Sequence, residues 1–175
     1  LGNISLKNKL QILTFIPMVG LLYFITTSIY SSYIEMKSMK QLSYYVHVTK
    51  DIANIVHEQE KERGYTASFI TSQGENFKEE FFLQRKKVDL LYKSLNSYIT
   101  NLAIKEKTKK DLIKKIDTIK KRFDLVRAEI RADNVENLKT TNALNFYTST
   151  NNNLLGILLE LSHYSNNSAI TTQII

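Results

Sequence analysis

The stretch from Leu10 to Ile34 holds 25 residues without a single charged side chain, and it restricts what this chain can form more than any other feature. An α-helix of about 20 apolar residues is long enough to cross the hydrocarbon core of a bilayer. Lys7 and Lys9 stand directly before the stretch, and positive residues beside a span favour the cytoplasmic side. The predicted division of the chain is a cytoplasmic N-terminus over residues 1–9, a transmembrane helix over residues 10–34 and an extracytoplasmic domain over residues 35–175.

A cleaved secretory signal peptide is the alternative interpretation of the same stretch. Signal peptides have a shorter apolar core and a cleavage site made of small residues. Here the apolar segment is longer, and it continues without a break into helical sequence. The sequence therefore favours an anchor in the cytoplasmic (inner) membrane, with the domain that follows lying in the periplasm or outside the cell.

The rest of the chain is poor in residues that make turns, with one proline and five glycines in the whole sequence. Such a composition indicates long helices joined by few turns, and no run alternates strictly enough to predict a strand. Helical stretches are predicted at about 35–71, 76–102 and 106–131 and from about 141 onward, with turns at 72–76 and 132–137. We predict an all-α, up-down-up-down antiparallel bundle whose first helix is continuous with the transmembrane helix. The last residues carry no helix-stop signal, so we expect that the natural protein continues.

Polar residues interrupt the apolar stripe that the first helix is predicted to bury. The stripe runs in steps of three and four through Leu42, Tyr45, Thr49, Ile52, Val56, Gln59, Arg63, Thr66 and Ile70. Arg63 lies eleven residues before Gly74, the centre of the first turn, and Arg85 lies eleven residues after it. Because both helices of an antiparallel hairpin rise equally per residue, we expect the two guanidinium groups to meet inside the bundle. Two buried cations require a negative partner.

Two kinds of negative partner are compatible with this pattern. Glu60 and Asp89 stand at helical spacing from Arg63 and Arg85, so an internal salt-bridge cluster is one possibility. A bound small anion is the other, because a guanidinium offers planar, bidentate donors to an oxyanion. The further residues predicted to line such a site are Gln59 and Gln84 as neutral donors, Tyr147 and Asn151 at the same height, and Gly64.

Gly64 belongs to a patch of small residues with Ala67 and Ser68. A glycine inside a helix is unfavourable by about 1 kcal/mol relative to alanine. Such a patch permits the close approach of a ligand or simply of another helix. Both interpretations remain open from the sequence.

No catalytic residue, metal site or cofactor is predicted. The three histidines show no metal-ligand spacing, the chain has no cysteine, and we find no nucleophile triad or phosphate loop. Residues 105–131 carry eleven Lys and Arg against five Asp and Glu, but they form the outer face of an amphipathic helix. This pattern is typical of a solvated surface rather than of a nucleic-acid interface.

Residues 57–89, "HEQEKERGYTASFITSQGENFKEEFFLQRKKVD", resemble the opening motif of the nitrate- and nitrite-sensing (NIT) domain. The residues that fit the motif are Gln59, Glu62, Arg63, Gly64, Ser68, Gly74, Gln84, Arg85 and Asp89. A later segment, "YTSTNNNLLGIL", is similar to the family through Tyr147, Thr148, Asn151, Leu154 and Leu155. The family's domain is longer, with a second helical half that carries another Glu-Arg motif and has no counterpart in this chain.

The resemblance implies an all-helical sensor that binds nitrate or nitrite, and the membrane span points to a methyl-accepting chemotaxis protein or a sensor kinase. The expected partners are a small anion, the membrane and a second copy of the chain in a homodimer, with no nucleic acid. Two alternatives stay open. One is a membrane-anchored helical scaffold that binds a protein partner, and the other is a sensor for a carboxylate or an amino acid.

Overall fold

The computed structural model describes residues 5–130 and 140–171, with side chains described to residue 161. The helices are α1 (Leu6–Thr71), α2 (Lys78–Asn101), α3 (Glu106–Glu129) and α4 (Thr140–Thr171). The prediction of an all-α fold whose first helix continues out of the apolar segment is confirmed, and the described residues contain no strand. The turn predicted at 132–137 lies outside the described residues.

The N-terminal part of α1 exposes its apolar side chains. Its most hydrophobic 18-residue window has a mean hydropathy of 1.9, and none of that window is buried. Leu13, Phe15 and Phe24 are all more than half exposed, a surface that water does not favour and that lipid would cover. Within the described part of the chain, α1 alone is long and apolar enough to cross a membrane.

Beyond this segment, the four helices form a closed bundle. Helix α1 packs on α2 and α4, and α3 packs on the same two neighbours, so α1 and α3 face each other across the diagonal. In α2 the same spacing of three and four predicts a core stripe, and all of its residues are buried except Arg85, whose side chain is 15% exposed; the stripe consists of Phe81, Arg85, Val88, Tyr92, Leu95, Ile99 and Leu102. In α3 the spacing predicts an uncharged stripe of Leu112, Ile116, Ile119, Phe123, Val126 and Ile130. This prediction was wrong at Val126, because the neighbouring Arg127 is the buried residue.

The predicted stripe of α1 was wrong by one residue at several positions. The buried residues along this part of α1 include Val48, Ile52, Ile55, Gln59, Glu62, Thr66 and Phe69. Ile55 and Glu62 thus occupy the places that were assigned to Val56 and Arg63. The ring of Phe69 stacks on Phe81 with centroids 4.5 Å apart, and burial of this ring favours the observed phase. One residue along a helix is a rotation of about 100°. The shift by one residue therefore places the negative charge of Glu62 in the core, where the sequence predicted the positive charge of Arg63.

The turn after α1 is a Schellman motif. The N–H of Gly74 donates to the carbonyl of Phe69 at 2.8 Å, and the N–H of Gln73 donates to the carbonyl of Ile70 at 3.1 Å. Gln73 is the residue in the left-handed conformation, with φ of 55°, and Gly74 follows with φ of 85°. The predicted turn at Gly74 is therefore confirmed, but a glutamine holds the position that glycine prefers.

We predict that Gln73→Gly stabilises the bundle by about 0.5–1 kcal/mol. A side chain in the left-handed region costs about 1–2 kcal/mol, and the added freedom of glycine in the unfolded chain offsets about half of that gain. The measurement is denaturant unfolding of the chain in detergent. Ala67→Gly, within α1, is the control and should lower the free energy of unfolding by about 1 kcal/mol. A loss of stability in both variants would contradict the assigned turn.

Candidate functional site

The centre of the bundle contains a charged cluster to which each helix contributes one side chain. We call Glu62 of α1, Arg85 of α2, Arg127 of α3 and Tyr147 of α4 the Glu62 cluster. The Glu62 side chain is 0% exposed and that of Arg127 is 7% exposed. Buried charges of this kind require close partners with good geometry. The two arginines differ sharply in how many hydrogen bonds to carboxylates compensate their charge.

Arg127 is the arginine whose charge is compensated. Its Nε donates to Glu62 Oε1 at 2.7 Å, and its Nη2 donates to the other oxygen of the same carboxylate, so the pair is bidentate. Its Nη1 donates to Asp89 of α2. The Tyr147 hydroxyl also donates to Glu62 Oε1, at 2.7 Å. Because its single proton is engaged in the bond to Glu62, the Tyr147 oxygen accepts a hydrogen bond from the Thr66 hydroxyl, and the two oxygens are 3.0 Å apart.

Arg85 is compensated much less. Its Nη1 donates to the carbonyls of Arg127 and Ile130, at 3.2 and 3.4 Å, and so caps the C-terminus of α3. Its Nε is 3.6 Å from Glu62 Oε1, too far for a hydrogen bond. Both Nε and Nη2 are buried, and neither makes a hydrogen bond among the described residues. These are the two nitrogens with which a guanidinium grips a planar oxyanion side-on.

The pKa values of the two arginines move in opposite directions. Burial lowers the pKa of Arg85, with Glu62 and Tyr147 only partly opposing this effect. Burial also works against the charged form of Arg127, but the carboxylates of Glu62 and Asp89 outweigh it and raise the pKa of Arg127. Burial and the neighbouring Glu62 charge raise the pKa of Tyr147, so its hydroxyl remains a donor. Arg85 is therefore the cation of the cluster that lacks an adequate anion.

Both arginines rest on an aromatic ring one turn earlier in their own helix. The guanidinium carbon of Arg85 lies 4.1 Å from the ring centroid of Phe81, and that of Arg127 lies 4.3 Å from the centroid of Phe123. Arg127 was not among the predicted site residues, because the apolar stripe predicted for α3 contains the neighbouring Val126 instead. The repeated spacing Phe-x-x-x-Arg, in "FFLQR" and "FDLVR", is a signal that could have found it.

Arg63 does not enter the cluster. Its side chain is 38% exposed and pairs with Glu60 at 3.1 Å, and its Nη1 donates to Thr148 of α4 at 3.3 Å. The prediction that Arg63 and Arg85 meet inside the bundle was therefore wrong, because the cation that meets Arg85 is Arg127. Of the two proposed carboxylate pairings, Arg63 with Glu60 is present, whereas Asp89 binds Arg127 and Lys120 rather than Arg85.

The side-chain N–H groups of the predicted site residues Gln59, Gln84 and Asn151 donate to other protein groups. The side-chain nitrogen of Gln59 donates to the Tyr92 hydroxyl, that of Gln84 donates to the backbone and side chain of Glu58, and that of Asn151 donates to Glu60. The oxygens left over on Gln59 and Asn151 are buried acceptors without a donor among the described residues. These three amides therefore support the walls of the site, and their role as ligand donors stays a prediction.

Gly64 faces open space. A methyl group added at this position would meet no atom within 4 Å among the described residues, and the residue is exposed. The close approach of a second helix, one of the two interpretations left open, is not found at Gly64 among the described residues. The small-residue patch is therefore a surface feature beside the contact between Arg63 of α1 and Thr148 of α4, and its contact with a ligand stays a prediction.

Comparison with known families gives a match that spans most of the bundle. A family profile described as nitrate and nitrite sensing matches residues 54–175. No curated protein and no solved structure matches the chain. The matched range includes every member of the Glu62 cluster, and it starts inside α1, beyond the apolar segment.

We predict that Arg127→Ala and Arg63→Ala differ strongly in stability. Loss of Arg127 leaves the buried Glu62 carboxylate without its cation and should lower the free energy of unfolding by about 3–5 kcal/mol. Loss of the partly exposed Arg63 should cost less than about 1 kcal/mol. Denaturant unfolding of both variants beside the unmodified chain tests this expectation. Equal losses would mean that Glu62 and Arg127 are not the central ion pair.

Proposed function

Because this chain belongs to the nitrate- and nitrite-sensing family, we propose that its helical bundle is the extracytoplasmic sensor of a transmembrane receptor, and that Arg85 grips the anion. The family is one of sensors, and the proposed role is binding and signalling without a catalytic step. The observation that carries this proposal is the pair of buried N–H donors of Arg85, Nε and Nη2, that find no acceptor among the described residues.

Nitrate and nitrite fit the chemistry of these donors. Both are small, planar anions that present two oxygens side by side, and a guanidinium binds such a pair with two parallel hydrogen bonds. The ring of Phe81 supports the guanidinium from one face and limits its orientation. An anion at this position would also offset the burial that now lowers the pKa of Arg85.

The anion would compete with Glu62 for Arg85 and so affect the contact between α1 and α2. Glu62 lies 28 residues beyond Ile34 on the same continuous helix, which is about 42 Å at 1.5 Å per residue. We propose that the signal is a small slide or rotation of α1, carried directly to the membrane segment. Since a ligand shifts an equilibrium only by its differential affinity for two states, the bound packing must open Arg85 to the anion more than the free packing does.

We predict that nitrate or nitrite raises the thermal stability of the detergent-solubilised chain, whereas sodium chloride at equal concentration does not. Arg85→Lys should weaken binding about tenfold or more, because lysine keeps the charge but loses the bidentate geometry. Titration calorimetry of both forms measures the effect. Lys86→Ala, which removes an exposed cation from the adjacent position, is the matched control and should bind as the unmodified chain does.

The same titration distinguishes the alternatives. Stabilisation by acetate or an amino acid, without stabilisation by nitrate, would instead support a sensor for carboxylates. No response to any small anion would contradict the sensor hypothesis and would favour the membrane-anchored scaffold. The homodimeric state and the output of a chemotaxis receptor stay predictions.

We also propose the topology of residues 1–9 inside the cytoplasm, residues 10–34 in the membrane and residues 35–175 outside. The supporting observations are the exposed apolar surface of α1 and the lysines that precede it.

We predict that Ser97→Cys, at an exposed position of α2, is labelled in intact cells by a membrane-impermeant thiol reagent. The chain has no cysteine of its own, so the introduced thiol is the only target. Ser5→Cys, before the apolar segment, is the control and should be labelled only after the cells are permeabilised. The reverse pattern would show that the N-terminus lies outside.

A further inference from the structure

The Glu62 cluster contains one more buried cation than buried anion. Arg85 and Arg127 supply two positive charges and Glu62 supplies one negative charge, which leaves a formal excess of one positive charge. Asp89 and Asp124 lie at the edge of the cluster, but each side chain is 50% exposed and both share Lys120. Asp89 still pairs with Arg127, but water screens these half-exposed carboxylates more strongly than it screens the charges in the centre.

The excess positive charge belongs to Arg85. Glu62 gives both of its carboxylate oxygens to Arg127 and one of them also to Tyr147. Arg85 is left with the same carboxylate at 3.6 Å and without a hydrogen bond to it. The opposite directions of the two arginine pKa values agree with this division.

From this charge count we propose that Glu62 is the specificity-determining residue of the site, and that it restricts the ligand to a monovalent oxyanion and rejects divalent ones such as sulfate. This inference rests on the proposed binding of an anion by Arg85. A monovalent anion cancels the single excess charge. A divalent anion would leave a negative excess in a water-poor site, directly against the Glu62 carboxylate, and such an uncompensated buried charge is strongly unfavourable.

The four combinations of two neutralising substitutions test the charge count. Glu62→Gln raises the central charge to two positive units, Arg127→Gln lowers it to zero, and the double variant returns it to one. Arg127 uses its guanidinium on Glu62, Asp89 and the backbone of Arg85. Its substitution therefore changes the charge of the site more than the donors offered to an anion.

The experiment is titration of each detergent-solubilised full-length variant with sodium nitrate and with sodium sulfate, after circular dichroism has established that its helices are intact. In Glu62→Gln the preference for nitrate over sulfate should fall at least about tenfold, since one unit charge at this distance is worth that or more. In Arg127→Gln nitrate should bind at least about tenfold more weakly, and the double variant should recover most of that loss.

Glu58→Gln is the matched control, because it neutralises another buried glutamate one turn earlier in α1, paired with Lys61 and Lys87. Its preference between the two anions should equal that of the unmodified chain. The inference is overturned if Glu62→Gln keeps the original preference, as Glu58→Gln does. If Glu62→Gln fails to fold, the inference is overturned by a double variant that binds nitrate no better than Arg127→Gln. Absence of nitrate binding to the unmodified chain would instead overturn the proposed function itself.

Discussion

The ion pair between Glu62 and Arg127 is the interaction on which the centre of this bundle depends. It joins α1 and α3, which lie on the diagonal and pack mainly on the other two helices. Because the carboxylate of Glu62 has no exposure to water, the pair is strongly favoured only while every partner is in place. Tyr147 from α4 and Arg85 from α2 complete the surroundings, so a displacement of any helix changes the electrostatics of the same point.

This arrangement explains how Arg127 can stabilise the fold while the neighbouring Arg85 keeps donors with which an anion could bond. Arg127 is paired with carboxylates. Arg85 donates from one nitrogen to the carbonyls that end α3, and its Nε and Nη2 make no hydrogen bond among the described residues. Buried donors without acceptors are costly to a folded protein. A small anion would remove that cost, and the bundle would then be most stable in its bound form.

The length of α1 connects this chemistry to the apolar segment. Glu62 and the exposed apolar surface belong to a single helix, from Leu6 to Thr71, without a break between them. A rigid helix transmits translation and rotation along its axis, and the proposed signal needs no other element. The turn residue Gln73 follows the C-terminal end of the same helix, so the stabilisation predicted for Gln73→Gly would arise outside the cluster.

The helices, the first turn and the apolar segment can be predicted from the amino-acid sequence, because helix periodicity, Gly74 and the absence of charge are local properties. Arg85, Gln59 and Tyr147 were likewise predicted from the sequence to line a site inside the bundle. Which charges meet depends on how the four helices pack. A stripe in steps of three and four fits Glu62 or Arg63 equally well, and the choice of Glu62 follows from the burial of Phe69 against α2. The pairing of Glu62 with Arg127 depends on contacts across the bundle between residues 65 positions apart, and no local pattern contains that information.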